Sequence, residues 1–390
     1  MEKITFCIPS KNNLRYLKSS IQSIKRNGVI EHDIIVYVDM SNDGTEDWLI
    51  ENNIKYLKND SNVAKGIAYG YNRCIESATT NIVCMFHADM YMGIGFDINI
   101  LKHLIPGTVV AGTRIEPPLH PEGKEKIVMD FGMYPEDFDI KAFDAFVKKS
   151  KMLYENVTTR GIFAPWAIFK SDITHIGLHD EEFHSYYEDS DIFNRMILSD
   201  YKILQSRDAF VYHLTCRGGQ FQDGIEKITT DPAFHNMKDL AAKHYIRKWG
   251  SWIRNDEYQH PVIIPKYNVG IQVTHCNLEL LTALEPWCDR IYIDDEMQVL
   301  TTHYMDSEQP NTSFDLTKRV MTTPYSNPHE YDDVVVELDR HTFTQQDFGY
   351  IQQLAEIIQS SGEPGEFRLG NLKITIYRIK SREKDLIVCE

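Results

Sequence analysis

Asp33-Ile34-Ile35-Val36-Tyr37-Val38-Asp39-Met40-Ser41-Asn42-Asp43-Gly44-Thr45 is the stretch that decides the fold. Its first half is a short, near-continuous apolar run, the pattern of a strand covered on both faces. Its second half is acidic, small and glycine-containing, which turns the chain sharply, and Asp43 or Thr45 can cap the helix that follows. A carboxylate just beyond such a strand, here Asp39, can accept from the imide N–H of a uracil or from a ribose hydroxyl. Spacing alone supports a plain strand-end turn equally well.

The same alternation extends outward on both sides. Ile4 to Ile8 is an apolar run closed by Pro9. Leu14, Leu17, Ile21 and Ile24 then recur at helical spacing, with Asn13 placed as the N-cap. Ile54 to Leu57 reads as a weaker strand, residues 64–78 as a helix aligning Ala64, Ile67, Ala68, Tyr71 and Ile75, and Ile82 to Phe86 (IVCMF) as another buried strand. A βαβαβαβ order of this kind predicts an α/β fold, a mainly parallel sheet with helices on both faces. Ligands of such sheets bind beyond the carboxyl ends of the strands. Attention therefore falls on Pro9-Ser10-Lys11, on Asp39 and on His87-Ala88-Asp89.

Further along, 117–161 is rich in Pro, Glu, Asp and Lys and predicts an excursion with a helix near 142–152. Order returns with a strand at 164–169, a charged helix from about Asp189, a strand at 209–213 and a helix at 238–249. Prolines 261 and 265 mark a linker over 251–265. A first domain over 1–250 and a smaller Rossmann-like α/β domain over 266–390 follow. In the latter, 269–274, 290–293 and 334–338 read as strands, 278–284 and 345–359 as helices, and 367–379 as a hairpin turning at Gly370-Asn371.

The 390 residues carry a formal net charge of −16, which argues against nucleic acid and anionic lipid as partners. Seven scattered cysteines without a Cys-x-x-Cys pair read as free thiols of a reducing compartment. No apolar run approaches the roughly 18 residues of a membrane span, and Ile4 to Ile8 is too short for a signal peptide, so a cytoplasmic location is expected. The sequon-like Asn156-Val157-Thr158 is then expected to be unmodified.

Several stretches offer chemistry. His87 and Asp89 alternate at a strand end and point to the same side, so one cation can touch both; Mn²⁺ accepts imidazole as well as carboxylate. Glu188-Asp189-Ser190-Asp191 opens a helix. Acidic residues there suit the helix dipole, and one of them beside a sugar pocket can act as a general base, its pKa raised by its neighbours. His213 closes the AFVYH strand, a place where a lone histidine is commonly structural. Trp166, Tyr186 and Tyr187 can stack on sugar rings or serve as core. The phosphate-binding loop, the full dinucleotide fingerprint and the H-E-x-x-H zinc motif are absent.

In this order the stretches resemble one family, the family 2 glycosyltransferases of the GT-A fold, over about residues 3–250. ITFCIPSKNN resembles the strand-Pro opening and DMSNDGT the D-x-S-x-D-G-T stretch. NVAKGIAYGYN is similar to the N-x-G…N helix start, and FHADM stands where the family carries D-x-D. IGLHDEEFHSYYEDSDIFNRM resembles the acceptor-side segment ending in E-D-x-D-[LIF]-x-x-R; DAFVYH and KWG resemble the closing strand and a frequent domain ending. Two departures are His87 for the first Asp of D-x-D and Ala64 for a frequent Gly.

The resemblance implies an inverting transfer of a sugar from a nucleotide-diphosphate donor, with a UDP-sugar expected, to a hydroxyl of a glycan or other acceptor. It implies Pro9, Ser10, Asp39, Lys65, His87 and Ala88 on the donor. Asp89, with His213 and His87, would hold Mn²⁺ or Mg²⁺. Asp189 would be the base with Glu188 beside it, and Trp166, Tyr187 and Asp191 would meet the acceptor. A non-catalytic nucleotide-sugar or glycan-binding protein that kept the fold is the alternative. A homo-oligomer is compatible with either. The second domain lacks a glycine-rich turn after its first strand, is faintly similar to a degenerate methyltransferase-like Rossmann domain, and is expected to be accessory.

Overall fold

The computed structural model describes residues 2–215, 232–295, 297–322 and 328–387. The chain forms two compact units. One comprises the residues up to His235 with Asn255–Val262, the other Asn236–Arg254 with Ile263–Ile387.

The first unit is built on β1 (Ile4–Ser10), β2 (Asp33–Val38), β3 (Lys55–Lys58), β4 (Ile82–Met85), β5 (Met90–Met92), β6 (Thr108–Glu116), β7 (Lys126–Val128), β8 (Thr158–Thr159), β9 (Trp166–Phe169) and β10 (Lys202–His213). Its helices are α1 (Leu14–Asn27), α2 (Thr45–Glu51), α3 (Gly66–Ser77), α4 (Phe96–Leu101), α5 (Ile140–Tyr154), α6 (Lys170–Ile176) and α7 (Glu188–Leu198). The sheet order is β3-β2-β1-β4-β9-β6-β10-β5, with β7 beside β6 and β8 beside β10.

Strands β1 to β4 are parallel. β9 runs antiparallel to both β4 and β6, so β6 points the same way as β4. β10 is parallel to β6 in turn. The sheet is therefore mixed, yet the carboxyl ends of β1, β2, β4, β6 and β10 all leave from one edge. All nine residues of β6 are buried. Neighbouring side chains of a strand point to opposite faces, so both faces of the sheet are covered there. The core runs through Phe6, Ile8, Val36, Val83, Phe86, Val110 and Ile168, each worth about 1.5–3 kcal/mol on burial.

One local device differs from expectation. Asn13 occupies the N-cap position of α1, but its side chain makes no capping bond. Asp43 does this from the neighbouring loop, its Oδ2 accepting from Leu14 N at 2.8 Å, while its Oδ1 accepts from Thr45 Oγ1 at 2.5 Å. The excursion at 117–161 is anchored by α5, which packs Phe143 and Val147 against Tyr91, Phe210 and Tyr212.

The second unit takes in most of α8 (Pro232–Trp249), followed by β11 (Val269–Thr274), α9 (Leu278–Leu284), β12 (Arg290–Ile293), α10 (Val299–Glu308), β13 (Val320–Thr322), α11 (Pro328–Tyr331), β14 (Val334–Asp339), α12 (Gln345–Gln352), α13 (Leu354–Ser361), β15 (Gly365–Leu369) and β16 (Leu372–Ile376). Its sheet order is β13-β12-β11-β14-β16-β15. The first four strands are parallel and the terminal hairpin is antiparallel. The helix expected over 345–359 is broken at Gln353, where φ is −109° and ψ 13°. A buried carboxylate, Glu285, is held by Arg247, Arg319 and the Tyr304 hydroxyl.

Among the described residues no helix is long and apolar enough to cross a membrane. Cys7, Cys74, Cys84, Cys276 and Cys288 are free thiols; Cys216 and Cys389 lie outside the described residues.

Candidate active site

Asp39 stands one residue beyond β2, with its N–H on Ser10 O at 2.9 Å. Its carboxylate is 5% exposed and accepts from Lys65 N (3.0 Å), Gly66 N (2.9 Å) and Asn59 Nδ2 (2.7 Å). An acidic group thus satisfies the first free N–H groups of α3 at its positive end. Gly66 has φ +86°, and a Cβ there would come within 2.1 Å of His184 O. Only glycine lets the chain approach so closely. The next residue, Ile67, donates its N–H to that same carbonyl at 2.8 Å. Asp39, the start of α3 and the segment leading to Glu188 are therefore one connected construction.

At the ends of β4, β6 and β10 lies a second cluster. The ligand atoms of His87, Asp89 and His213 all lie within 4.8 Å of one another. His213 Nε2 is 3.5 Å from Asp89 Oδ1, and its Nδ1 is 2.9 Å from Glu116 Oε1. Glu116 also accepts from Arg114 Nη1 and Lys126 Nζ, each at 2.9 Å. Arg114 in turn donates to Glu125 at 3.2 Å and lies 3.8 Å above the Phe163 ring. Burial opposes protonation of His213, but Asp89 and Glu116 outweigh it and raise its pKa to about 9. Burial lowers His87 to about 4; Asp89 pulls the other way, and the charge of His213 adds to the lowering. Burial works against ionisation of Glu116, yet Arg114, His213 and Lys126 hold its carboxyl well below the usual range. Two imidazoles and a carboxylate within reach of one another make a donor set that fits Mn²⁺ better than Mg²⁺, which prefers oxygen.

Glu188 and Asp189 open α7, and both are partly accessible. Tyr186 and Tyr187 before them adopt φ +69° and +68°. Two successive non-glycine residues in the left-handed region cost about 1 kcal/mol or more each, a strain that clusters at functional sites. Asp189 Oδ1 accepts from Ser190 N at 2.7 Å. Glu188 Oε2 and the Tyr71 hydroxyl are buried atoms without hydrogen-bond partners among the described residues. Desolvation raises the Glu188 pKa to about 8, with Asp189 adding to it, and desolvation raises Asp189 as well. The positive charge of Arg114 reaches both Asp189 and His87.

Residues 5–152 match the family model described as Glycosyl transferase family 2. The first unit carries a family 2 glycosyl transferase domain. The matched span takes in Asp39, Lys65, His87, Asp89 and Glu116 and ends before Glu188, Asp189 and His213. No curated protein matches the chain. Among solved structures, the chain is similar to GalNAc-T7 with UDP, GalNAc and Mn²⁺, at 12% identity and TM-score 0.43, over 64% of this chain and 51% of that one. It is similar to the mannosyltransferase PcManGT from Pyrobaculum calidifontis in complex with GDP-Man and Mn²⁺, at 14% identity and TM-score 0.39, over 63% and 62%. It is also similar to S. aureus TarS 1–349, at 14% identity and TM-score 0.38, over 54% and 60%. The chain thus spans between half and two thirds of the length of these proteins.

Within the first unit two of the sequence expectations are corrected. Trp166 is 2% exposed and packs on Phe193 and His179, so it is core and offers no face to an acceptor. Asp191 is fully buried and paired with Arg195 at 2.9 Å, and Arg195 holds Ile176 O and Leu178 O. That pair fastens α7 to the preceding segment. The Ala88 side chain is turned into the core between His87 and Asp89, leaving only its backbone for a donor. Pro9 is half-buried, and its ring sits where a side chain on Gly70 would fall, 2.9 Å from that Cβ position. Ser10 is buried, with its hydroxyl unpartnered among the described residues. Lys65 is half-buried with Nζ 5.8 Å from the Tyr69 ring centre. Tyr187 forms the N-cap of α7. Sequence reasoning missed Arg114, Glu116, Glu125 and Lys126. The signal for the first two was available: charged residues at alternate positions closing a buried strand, the same pattern that singled out His87 and Asp89.

Proposed function

We propose that the chain transfers a sugar from a nucleotide-diphosphate donor, a UDP-sugar first, to a hydroxyl of a glycan or similar acceptor, with inversion at the anomeric carbon. Asp39 with Pro9, Ser10 and Lys65 lies on the donor side. Asp89, His213 and His87 hold a divalent cation, with Mn²⁺ the best fit, and this cation would offset the charge that develops on the departing diphosphate. Asp189 takes the proton of the acceptor hydroxyl as its oxygen attacks the anomeric carbon and the bond to the diphosphate oxygen breaks. A single displacement inverts that centre. Glu188 and Tyr187 border the acceptor.

The observation that carries this reading is a pair of groups linked through Arg114, whose charge acts on both. One is a histidine–carboxylate cluster able to hold a cation; the other is the Glu188–Asp189 pair, whose pKa values burial raises. A carboxylate with a raised pKa is, in its ionised form, the better base for a hydroxyl proton.

The test is turnover of UDP-, GDP- and dTDP-sugars with Mn²⁺, slow donor hydrolysis included, in wild type and Asp189→Asn. Turnover lowered by roughly 10²–10⁴ in the variant, with donor affinity kept, is the expected result. Nucleotide-sugar binding without turnover, indifferent to Asp189→Asn, would instead favour a binding protein that kept the fold, the reading that His87 in place of a carboxylate motivates.

A further inference from the structure

We infer that the second unit holds a transition-metal site of its own, formed by His275, Asp339 and His341. It lies at the carboxyl ends of β11 and β14, adjacent parallel strands whose register pairs Thr274 with Asp339. In open α/β sheets that edge is where ligands bind.

The three ligand atoms lie within 4.8 Å of one another. His275 Nδ1 is 3.2 Å from Asp339 Oδ1, and the two imidazole rings are 4.6 Å apart. Asp339 Oδ1 also accepts from His341 N at 2.9 Å, which helps to fix the carboxylate. No described residue hydrogen-bonds to the ring of His341, so its approach to His275 is not explained by a bond within the protein.

The backbone holds His275 in place. Its φ is +56°, a left-handed conformation uncommon for a residue with a Cβ. Asp294, just beyond β12, accepts from His275 N at 2.6 Å and from Cys276 N at 3.0 Å. Arg340 donates to His275 O at 2.7 Å. Three neighbouring strand ends thus converge on one histidine.

Two imidazoles and one carboxylate select ions such as Zn²⁺, Co²⁺ or Ni²⁺ over Mg²⁺ or Ca²⁺, which prefer all-oxygen shells. A tetrahedral Zn²⁺ sets its ligand atoms roughly 3.3 Å apart. Both histidines are exposed, so small side-chain rotations close the remaining distance. Three protein ligands leave a position open to water or to an external oxygen ligand, the arrangement of a reactive or ligand-binding zinc rather than a closed structural one. The inference does not depend on the transfer reaction proposed above.

The experiment titrates the full chain with Zn²⁺ against a chromophoric chelator, and with Co²⁺ followed by its visible absorption. Wild type is expected to take up one equivalent more than H275A/H341A, and Asp89→Asn is expected to retain that equivalent. Where the double variant fails to fold, H341Q serves. It removes one exposed ligand and is expected to weaken the same equivalent by at least about tenfold. Equal stoichiometry and affinity in wild type and the His275/His341 variants overturns the site. An Asp89→Asn chain that loses no further equivalent when H275A/H341A is added also overturns it, because the ion would then belong to the first unit.

Discussion

Glu116 Oε1 lies 2.9 Å from His213 Nδ1, and this contact leaves the other ring nitrogen of His213 directed at Asp89, 3.5 Å away. A carboxylate that fixes one nitrogen of an imidazole sets which nitrogen is offered to a cation and raises its basicity. Glu116 is itself fixed by Arg114 and Lys126. The orientation of His213 is thus determined by a buried network on β6 and β7.

Glu116→Gln keeps the shape and removes the charge. Mn²⁺ affinity should fall about 10–100-fold, with most of the turnover recovered at saturating Mn²⁺. Thermal stability should fall too, because Arg114 and Lys126 lose their shared counter-charge in a buried setting. A Mn²⁺ titration of turnover in the variant and in wild type decides the matter. Identical half-saturation would remove Glu116 from any role toward the cation.

Asp39 carries a double assignment. Its oxygens are occupied by Lys65 N, Gly66 N and Asn59 Nδ2, so it holds the entry to α3 whatever else it does. Asp39→Asn leaves one or more of these N–H groups without an acceptor, at a cost of about 1–3 kcal/mol. The expected outcome is a lower melting temperature without nucleotide together with weaker nucleotide binding. An unchanged melting temperature would leave the carboxylate as a ligand contact only.

The parts of this site that could be read in the sequence follow a physical rule. Asp39 directly follows an uninterrupted apolar run and Asp89 stands three residues beyond another, and such runs announce a buried strand and therefore its end. β6 escaped because Gly112, Arg114 and Glu116 interrupt its apolar character, although all nine of its residues are buried. Charged residues are tolerated there only because they neutralise one another, and that pairing with Glu125, Lys126 and His213 is invisible until the strands are side by side. Trp166 and Asp191 went the other way. Each matched a functional expectation by type and position, and tertiary packing consumed both. Asn13 was correctly placed at a cap, but the cap itself came from Asp43, thirty residues on, a partner that no local pattern reveals.

The acidic pair at the start of α7 predicts an unusual pH dependence of stability. Glu188 is raised to about 8 by desolvation and then by Asp189. In the unfolded chain a glutamate ionises near 4.3, so between that value and about 8 the folded state binds more protons than the unfolded one. Stability must then fall as pH rises through this window. Glu188→Gln removes the contribution, so the variant should gain in melting temperature relative to wild type from pH 5 to pH 9. Parallel melting profiles for the two proteins across that range would show that Glu188 ionises normally.

Gly66 is where the donor side and the acidic side are joined. Its φ of +86° is unfavourable for any residue with a Cβ, and that Cβ would lie 2.1 Å from the carbonyl oxygen of His184, a backbone atom that cannot swing aside. Gly66→Ala must therefore push the segment before Glu188 away from α3. Three consequences should appear together. Stability should fall by about 1–3 kcal/mol from the backbone conformation alone, the Ile67 N to His184 O bond should be lost, and turnover should drop because Glu188 and Asp189 shift relative to the histidine cluster. Lys65→Ala, one residue away, changes a half-buried side chain without touching this junction and should leave the melting temperature near that of wild type. Melting curves, amide exchange at Ile67 and turnover, measured on both variants, separate the two cases. A Gly66→Ala chain with wild-type stability and turnover would mean that α3 and the 184–189 segment are not mechanically coupled.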